Sequence, residues 1–134
     1  MIMLKKRILV AEDDLFVLKM VKLRLEHEGY IVLSAADGEE ALQEATREQP
    51  NLILLDIRMP KLDGYTVCRH LRQQPSTAAI PVIIITASEV HLLRLADRCV
   101  EVGANDWIKK PFKTKDLLAK IHRLLDEEEE KSDV

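Results

Sequence analysis

The chain has 134 residues, a net charge of −3 and an apolar content of 47%. This length predicts one domain that needs no disulfide or metal ion to fold, and the slightly negative charge gives no electrostatic footprint for nucleic acid. No apolar run approaches the roughly 20 residues that span a bilayer, and the first seven residues lack the pattern of a signal peptide.

Strands and amphipathic helices alternate through the first half of the chain. Short continuous apolar runs are typical of strands buried on both faces, and apolar residues at helical spacing mark the helices between them. Asp14 and Asp37 precede the helical runs and predict their N-caps, while Gly29 and Pro50 mark where those helices end. The predicted order is strand 8–11, helix 15–28, strand 31–33, a helix that starts near residue 38, and a strand that ends at residue 56.

The same alternation continues in the second half. Asp63 and Gly64 predict a turn that starts a helix, Ser88 predicts the N-cap of the next helix, and Thr114 predicts the N-cap of the last one. Gly103 is expected to end the helix that Ser88 begins. The predicted order is a helix that stops before residue 75, strand 82–86, a helix through 92–100, strand 106–109 and a helix through residue 125.

Five strand–helix units without repeats or linkers predict an α/β fold. Connections between parallel strands through helices are almost always right-handed, so we expect a three-layer sandwich around one parallel sheet. The domain is predicted to cover residues 1–126, followed by an acidic tail over 127–134 that frays.

Charged and hydroxyl side chains lie at the carboxyl ends of these predicted strands. Glu12 and Asp13 follow the first strand, Asp56 ends the third, Thr86 ends the fourth and Lys110 follows the fifth. The carboxyl ends of parallel strands meet at one edge of the sheet, where open α/β sheets bind their ligands. We therefore expect these five side chains to form one site.

The residue types at this edge suit a metal ion and a phosphoryl group. Two carboxylates at ~4 Å repel each other by about 4 kcal/mol at an effective dielectric near 20, and a bound cation relieves this. Oxygen ligands at an open edge favour Mg²⁺. Lys110 and Thr86 can hold phosphoryl oxygens, and Asp56 is a plausible nucleophile because carboxylates accept phosphoryl groups covalently.

In this order and spacing, the pattern resembles the receiver domain of two-component response regulators. The resemblance runs from Arg7 to about Leu125. It implies a flavodoxin-like (βα)5 fold, a doubly wound sandwich with a five-stranded parallel sheet of order 2-1-3-4-5. The segments that carry the resemblance are ILVAEDD at 8–14, LLDIRMP at 54–60, DG at 63–64, TA at 86–87, GANDW at 103–107 and KPF at 110–112.

The resemblance implies that Asp56 accepts a phosphoryl group from a histidine kinase or a histidine phosphotransfer protein. It also implies a Mg²⁺ cofactor held by the side chains of Asp13 and Asp56 and by the backbone carbonyl of Arg58. Glu12 would act on the ion largely through water. The acceptor would become an aspartyl phosphate, and the domain would catalyse only its own phosphorylation and dephosphorylation.

A switch is also implied. Thr86 and Lys110 would hold the phosphoryl oxygens, and the Lys110–Pro111 peptide bond would be cis. Thr86 would move toward the phosphoryl group, and Trp107 would turn into the space that Thr86 leaves. The face formed by the fourth helix, the fifth strand and the fifth helix would then change and bind a partner, an output domain or a second copy of the chain.

Two residues depart from the family's usual pattern. The switch aromatic is more often Tyr or Phe, whereas Trp107 is bulkier and has an N–H group to satisfy when buried. Arg58, two residues past the phosphoacceptor, is long and cationic, so it can screen the phosphoryl group from water or help to hold it. We hypothesise that Arg58 alters the lifetime of the phosphorylated state.

Three other functions fit parts of the pattern. A pseudo-receiver that binds proteins without being phosphorylated would not need Asp13, Asp56, Thr86 and Lys110 together. A phosphohydrolase that acts through an aspartyl phosphate generally has an acid where this chain has Arg58. A nucleotide-binding domain would have a glycine-rich loop after the first strand. We therefore expect a signalling switch and not an enzyme with an external substrate.

The remaining composition indicates the compartment and the partners. Cys68 and Cys99 lack metal-binding spacing and favour reduced thiols in a cytoplasmic protein. The net charge and the lack of a long apolar run lead us to expect no direct nucleic-acid binding and no membrane contact. No DNA-binding or catalytic output domain is recognised after Leu125, and two interpretations stay open: a stand-alone single-domain regulator, or a receiver cut from a hybrid kinase or a larger regulator. The sequence identifies neither the kinase nor the downstream partner.

Overall fold

Strands and helices alternate along the chain. The computed structural model describes residues 4–87 and 92–132. Within these residues the elements are β1 (Arg7–Ala11), α1 (Leu15–His27), β2 (Ile31–Ala35), α2 (Gly38–Glu48), β3 (Leu52–Asp56), α3 (Gly64–Gln73), β4 (Val82–Thr86), α4 (Leu92–Val102), β5 (Asp106–Lys109) and α5 (Thr114–Ser132).

The five strands form one parallel sheet in the order β2-β1-β3-β4-β5. This confirms the fold class and the strand order that the resemblance implied. The register aligns Ala11 with Leu55 and Thr86 with Lys109. The carboxyl ends of β1, β3, β4 and β5 therefore lie side by side, as the predicted site requires.

The helices cover both faces of the sheet and complete the predicted three-layer sandwich. Successive strand residues point to opposite faces, and each face has its own apolar core, in which the apolar residues of β1, β3 and β4 are nearly inaccessible to solvent. Helices α1 and α5 cover the core that contains Ile8, Leu54 and Ile85. Helices α2, α3 and α4 cover the core that contains Leu9 and Ile84.

Aspartate side chains cap three helices within the described residues; the caps at Asp14 and Asp37 were predicted, whereas Asp63 was predicted only as part of a turn that starts a helix. Each accepts a hydrogen bond from an amide of the first turn, one of the groups that a helix leaves without an internal partner. The bonds run from Phe16 to Asp14 (2.9 Å), from Glu40 to Asp37 (2.8 Å) and from Thr66 to Asp63 (3.0 Å). The cap predicted at Ser88 lies outside the described residues.

Helix α5 differs from its prediction at both ends. Thr114 is the first residue of the helix and not its cap, because the carbonyl of Lys113 already accepts the amide of Leu117 at 3.3 Å. At the other end, the helix continues to Ser132, so most of the acidic segment that was expected to fray is helical. Glutamate is a good helix former, which explains the extension. The domain boundary after residue 126 stays a prediction.

Arg72 of α3 links two connections that the sequence did not associate. Its guanidinium donates to the carbonyls of Ile80 and Gly103, both at 2.8 Å, and to the side-chain oxygen of Asn105 at 2.9 Å. The same Asn105 oxygen accepts the amide of Val82 at 2.8 Å. Arg72 therefore fixes the loops that lead into β4 and β5, the strands that end at the site.

Within residues 4–87 and 92–132, no helix combines the length and the apolar character needed to cross a bilayer.

Candidate functional site

The strand ends bring the predicted site residues together. Asp56 and Thr86 are the last residues of β3 and β4, while Glu12 and Lys110 directly follow β1 and β5. The backbone N–H of Lys110 donates to the carbonyl of Thr86 at 2.7 Å. The sheet pairing thus extends past the last residue of β5 and fixes where the Lys110 side chain starts.

Three carboxylates form the acidic part of the site. Glu12, Asp13 and Asp56 each place one carboxylate oxygen within 4.8 Å of the others. Glu12 and Asp56 are 1% and 4% exposed, whereas Asp13 is exposed. A set of oxygen donors with one open side fits a hard divalent cation that keeps some of its water, so the residues present fit Mg²⁺.

Lys110 is the cation of the site. Its Nζ donates to Asp56 Oδ2 at 3.2 Å and also contacts Glu12 Oε1. The sequence predicted Lys110 as a phosphoryl ligand but did not predict its ion pair with Glu12. Within the described residues, this cluster therefore holds one ammonium group among three carboxyl groups.

The protonation of this cluster follows from its burial. Burial raises the pKa of Glu12 to about 8, and the neighbouring Asp56 adds to the shift while Lys110 opposes it. Burial alone lowers the pKa of Lys110, but hydrogen bonds and attraction from Glu12 and Asp56 outweigh it, so that the pKa of Lys110 is raised. Without a divalent cation, Glu12 therefore holds a proton near neutral pH.

We expect Glu12→Gln to flatten the pH dependence of stability in metal-free protein. A carboxyl whose pKa is about 8 in the folded state and 4.5 as its ordinary value binds more protons when folded, so wild-type stability falls as pH rises through this interval. The amide that replaces this carboxyl does not titrate, so at pH 8.5 the variant should be more stable than wild type by about 2 kcal/mol. Urea unfolding with EDTA at pH 5 and pH 8.5 measures the difference.

The control for this prediction is Glu39→Gln, which removes an exposed carboxylate of α2 that is not a member of the carboxylate cluster. It should leave the pH dependence unchanged. If the difference in the free energy of unfolding between Glu12→Gln and wild type does not grow from pH 5 to pH 8.5, the buried carboxyl of Glu12 is not the group that titrates.

The loop after β3, residues 57–63, contacts Asp56 through its backbone. The N–H of Arg58 donates to Asp56 Oδ1 at 3.2 Å, while its side chain is exposed. Gly64 closes the loop by donating to the carbonyl of Ile57 at 2.9 Å. A Cβ atom at Gly64 would overlap the backbone carbonyl of Asp56. Any other residue at position 64 would displace the end of β3, so this position requires glycine.

Thr86 and Trp107 occupy neighbouring strands. Trp107 pairs with Ile84, and Thr86 lies two residues further along β4, so side chains at 84 and 86 point to the same face. Thr86 is 1% exposed, and Trp107 packs, partly buried, against the core under α2, α3 and α4. The two predicted switch residues therefore share one face of the sheet.

The outer edge of β5 is held by Asp106. Its carboxylate accepts the backbone N–H of Trp107 at 2.8 Å and the Nζ of Lys120 at 3.1 Å, and it pairs with Arg123. Because Lys120 and Arg123 belong to α5, this network ties the strand that carries Trp107 to the last helix. The Lys110–Pro111 bond that follows β5 is cis, as the resemblance implied.

An apolar cavity beside Lys110 did not emerge from the sequence. It lies between α1 and the segment that joins β5 to α5, and its volume is about 400 Å³. One signal for it was present, because Met20 lines the cavity and is one of several apolar residues on the solvent face of α1. Leu15, Phe16, Met20 and Leu23 are all more than half exposed.

Known proteins share this sequence pattern and this geometry. Residues 8–122 match the model of the response regulator receiver domain family. The alkaline phosphatase synthesis transcriptional regulatory protein PhoP of Bacillus subtilis is 38% identical over 91% of this chain, which spans 49% of that protein.

Solved structures of receiver domains have a similar fold. A response regulator receiver domain protein from Methanospirillum hungatei superposes with a TM-score of 0.87 at 34% identity, over 96% of this chain and 99% of that one. The receiver domain of a Pseudomonas aeruginosa sensor histidine kinase has a TM-score of 0.83 at 33% identity, over 92% of this chain and 99% of that one. That structure has a magnesium ion coordinated in its active-site cleft.

Proposed function

Because this chain belongs to the response regulator receiver domain family, we propose that it is a phosphorylation-controlled switch of a two-component or phosphorelay system. Asp56 would take a phosphoryl group from a histidine kinase or a histidine phosphotransfer protein. The contact of Lys110 with both buried carboxylates carries the proposal, since an ammonium group beside Asp56 is what an incoming phosphoryl group would need. Phosphoryl transfer requires mainly such positioning and charge neutralisation.

The two oxygens of Asp56 are held differently. Oδ1 accepts the Arg58 amide and Oδ2 accepts Lys110, so the carboxylate is fixed in orientation before a donor arrives. Lys110 would then bind a phosphoryl oxygen, and the Thr86 hydroxyl would bind another. These contacts form at a buried strand end, where they are stronger than they would be in water.

The carboxylates of Glu12, Asp13 and Asp56 and the backbone carbonyl of Arg58 would hold Mg²⁺ directly or through water. The ion supplies positive charge that neutralises the phosphoryl oxygens. Lys110 already donates a hydrogen bond to Glu12, so the burial of Glu12 is partly offset before the ion binds.

The proposed output is a change at the face of α4, β5 and α5. Thr86 moving toward the phosphoryl group would free space on the sheet face that Trp107 shares, and Trp107 would turn inward. The Asp106 network would transmit the change to α5. That face would bind a downstream partner, an output domain or a second copy of the chain.

The domain would act as a switch without an external substrate. The chain spans about half the length of the curated relatives it matches, so their transcriptional roles concern longer proteins, and we propose no direct nucleic-acid contact for this domain. Cys68 and Cys99 are free and buried, which suits the reducing cytoplasm. A pseudo-receiver remains the alternative that phosphorylation would exclude.

Phosphoryl uptake tests the proposal directly. The intact protein is incubated with phosphoramidate, with Mg²⁺ or with EDTA, and its mass is measured. We expect one phosphoryl group per chain with Mg²⁺ and almost none with EDTA. Folded protein that takes up no phosphoryl group with Mg²⁺ would overturn the proposal in favour of a protein-binding module.

Arg58 should prolong the phosphorylated state. Its backbone lies against Asp56 and its exposed side chain can cover a phosphoryl group, pairing with its charge and excluding water. We expect Arg58→Ala to hydrolyse its aspartyl phosphate several-fold faster than wild type, as followed by phosphorus NMR after the donor is removed.

The matched control is Lys61→Ala, which removes an exposed cation from the same loop, one that pairs with Asp37 and Glu39 and not with Asp56. It should leave the hydrolysis rate unchanged. Equal hydrolysis rates for Arg58→Ala and wild type would contradict the hypothesis that Arg58 prolongs the phosphorylated state.

A further inference from the structure

The loop of residues 57–63 rests on the first turn of α2. The N–H of Gly38 donates to the carbonyl of Pro60 at 3.2 Å. A Cβ atom at position 38 would overlap the carbonyl oxygen of Leu62 and would lie 2.7 Å from the Leu62 Cβ atom, closer than real Cβ atoms come to their neighbours. Glycine at position 38 therefore allows the loop and the helix to meet.

The start and the end of this loop are also held. The N–H of Arg58 donates to Asp56 Oδ1 at 3.2 Å, and the N–H of Gly64 donates to the carbonyl of Ile57 at 2.9 Å. The Arg58 carbonyl, which the proposed function gives to Mg²⁺ as a ligand, thus belongs to a short segment between the fixed end of β3 and the contact at Gly38. A shift of the loop at Gly38 has few bonds over which to fade before it reaches this carbonyl.

The tip of the loop has a strained backbone. The N–H of Leu62 donates to the carbonyl of Pro60 at 2.8 Å and closes a three-residue turn around Lys61, whose φ is 70°. Such turns are rare and unfavourable for a residue with a side chain. Strain of this kind persists only where surrounding contacts determine the conformation, and it concentrates at ligand sites. The contact with α2 is one such constraint.

Side chains contribute unequally to holding the tip. Leu62 packs, partly buried, against the core under α2, α3 and α4. The ammonium of Lys61 lies 3.5 Å from Asp37 and 3.8 Å from Glu39, but ion pairs as exposed as these contribute little. The position of the loop therefore depends mainly on the close approach at Gly38 and on the Leu62 side chain.

We propose that Gly38 and Leu62 are positioning residues of the metal site, because they hold the loop where its Arg58 carbonyl can bind Mg²⁺. This rests on the proposed function, which places the ion at the carboxylate cluster. Mg²⁺ requires near-ideal octahedral geometry, so a displaced ligand weakens its binding. Groups that orient metal ligands typically contribute roughly 10–100-fold to metal affinity.

Gly38→Ala tests the close approach. We expect its Kd for Mg²⁺ to rise roughly tenfold or more above that of wild type, as measured on folded protein by an NMR titration of amide chemical shifts. Gly29→Ala is the matched control. Gly29 has a φ of 98°, so alanine is strained there too, but no described atom lies within 4 Å of the added Cβ. The control should lower the free energy of unfolding and leave the Kd unchanged.

Leu62→Ala tests the second contact and adds no atom that could clash. Loosening the tip should raise the Kd for Mg²⁺ roughly tenfold. The matched control is Leu42→Ala, the same truncation on α2 itself, at a residue that packs, partly buried, against the same core. Both truncations should lower the free energy of unfolding, whereas only Leu62→Ala should weaken Mg²⁺ binding. If Gly38→Ala does not fold, this pair of variants decides the question.

The outcomes separate the positioning role from the function on which it rests. A wild-type Kd in Leu62→Ala, or in folded Gly38→Ala, overturns the positioning role and leaves the switch intact, provided that wild type binds Mg²⁺ and takes up a phosphoryl group. An equal rise of the Kd in the control variants also overturns it, because Mg²⁺ affinity would then follow overall stability. If folded wild-type protein binds no Mg²⁺, the metal site of the proposed function and its positioning residues fail together.

Discussion

Replacing Asp56 with asparagine should abolish phosphoryl uptake and leave the fold intact. An amide keeps the shape of the carboxylate and can still accept the N–H of Arg58, but it has no ionised oxygen to attack phosphorus. The substitution also removes one of three mutually repelling carboxylates, so the free energy of unfolding should not fall. Intact mass after incubation with phosphoramidate and Mg²⁺ gives the uptake, and urea unfolding gives the stability.

The matched control is Asp63→Asn. Asp63 lies in the loop after β3 and caps α3 through the amide of Thr66, a role that asparagine fills equally well. Uptake in this variant should equal that of wild type. If Asp56→Asn still gains a phosphoryl group, the nucleophile is one of the other carboxylates, and the assignment of Asp56 is wrong.

The second large effect is expected for Lys110→Met, which keeps the length of the side chain and removes its charge. The buried carboxylates of Glu12 and Asp56 then lose their shared partner. Breaking one side of a buried ion pair typically costs roughly 3–5 kcal/mol, so we expect a loss of about 3 kcal/mol in metal-free protein at pH 8. Phosphorylation should slow by roughly 10²-fold, the usual cost of losing one donor to a phosphoryl or oxyanion oxygen.

The pH dependence distinguishes this mechanism from a packing defect. Without Lys110 the pKa of Glu12 rises beyond about 8, because the attraction that opposed the shift is gone. A raised folded-state pKa makes stability fall as pH rises, so the deficit of the variant should grow from pH 6 to pH 9. Lys109→Met removes the exposed neighbouring cation, and it should change neither the free energy of unfolding nor the pH dependence of that free energy. A deficit that is constant with pH would point to packing.

The parts of the fold that could be predicted are those determined by the residues of a short stretch of sequence. Apolar runs and aspartate caps placed the strands and most helix starts within about two residues, as expected when buried strands and capped helices have distinctive residue types. The convergence of Glu12, Asp56, Thr86 and Lys110 followed from their places after four strands, because a parallel sheet brings its carboxyl ends together. Strand order came from the family resemblance and not from the pattern.

The features that could not be predicted depend on contacts between distant segments. Nothing near Arg72 shows that its guanidinium will reach Ile80, Gly103 and Asn105. The Lys110 ion pair with Glu12 joins residues 98 positions apart, and the cavity needs α1 and the segment after β5 to be placed together. Thr114 was misplaced by one position because threonine fits both a cap and a first turn.

Trp107 gives the molecule a built-in optical probe. It is the sole tryptophan of the sequence, so all indole fluorescence comes from one position. That position is partly buried, on the edge strand β5. Indole emission shifts to longer wavelength as water reaches the ring and to shorter wavelength as it leaves. The direction of that shift during a reaction therefore shows whether the Trp107 ring becomes more buried or more exposed, and no dye has to be attached.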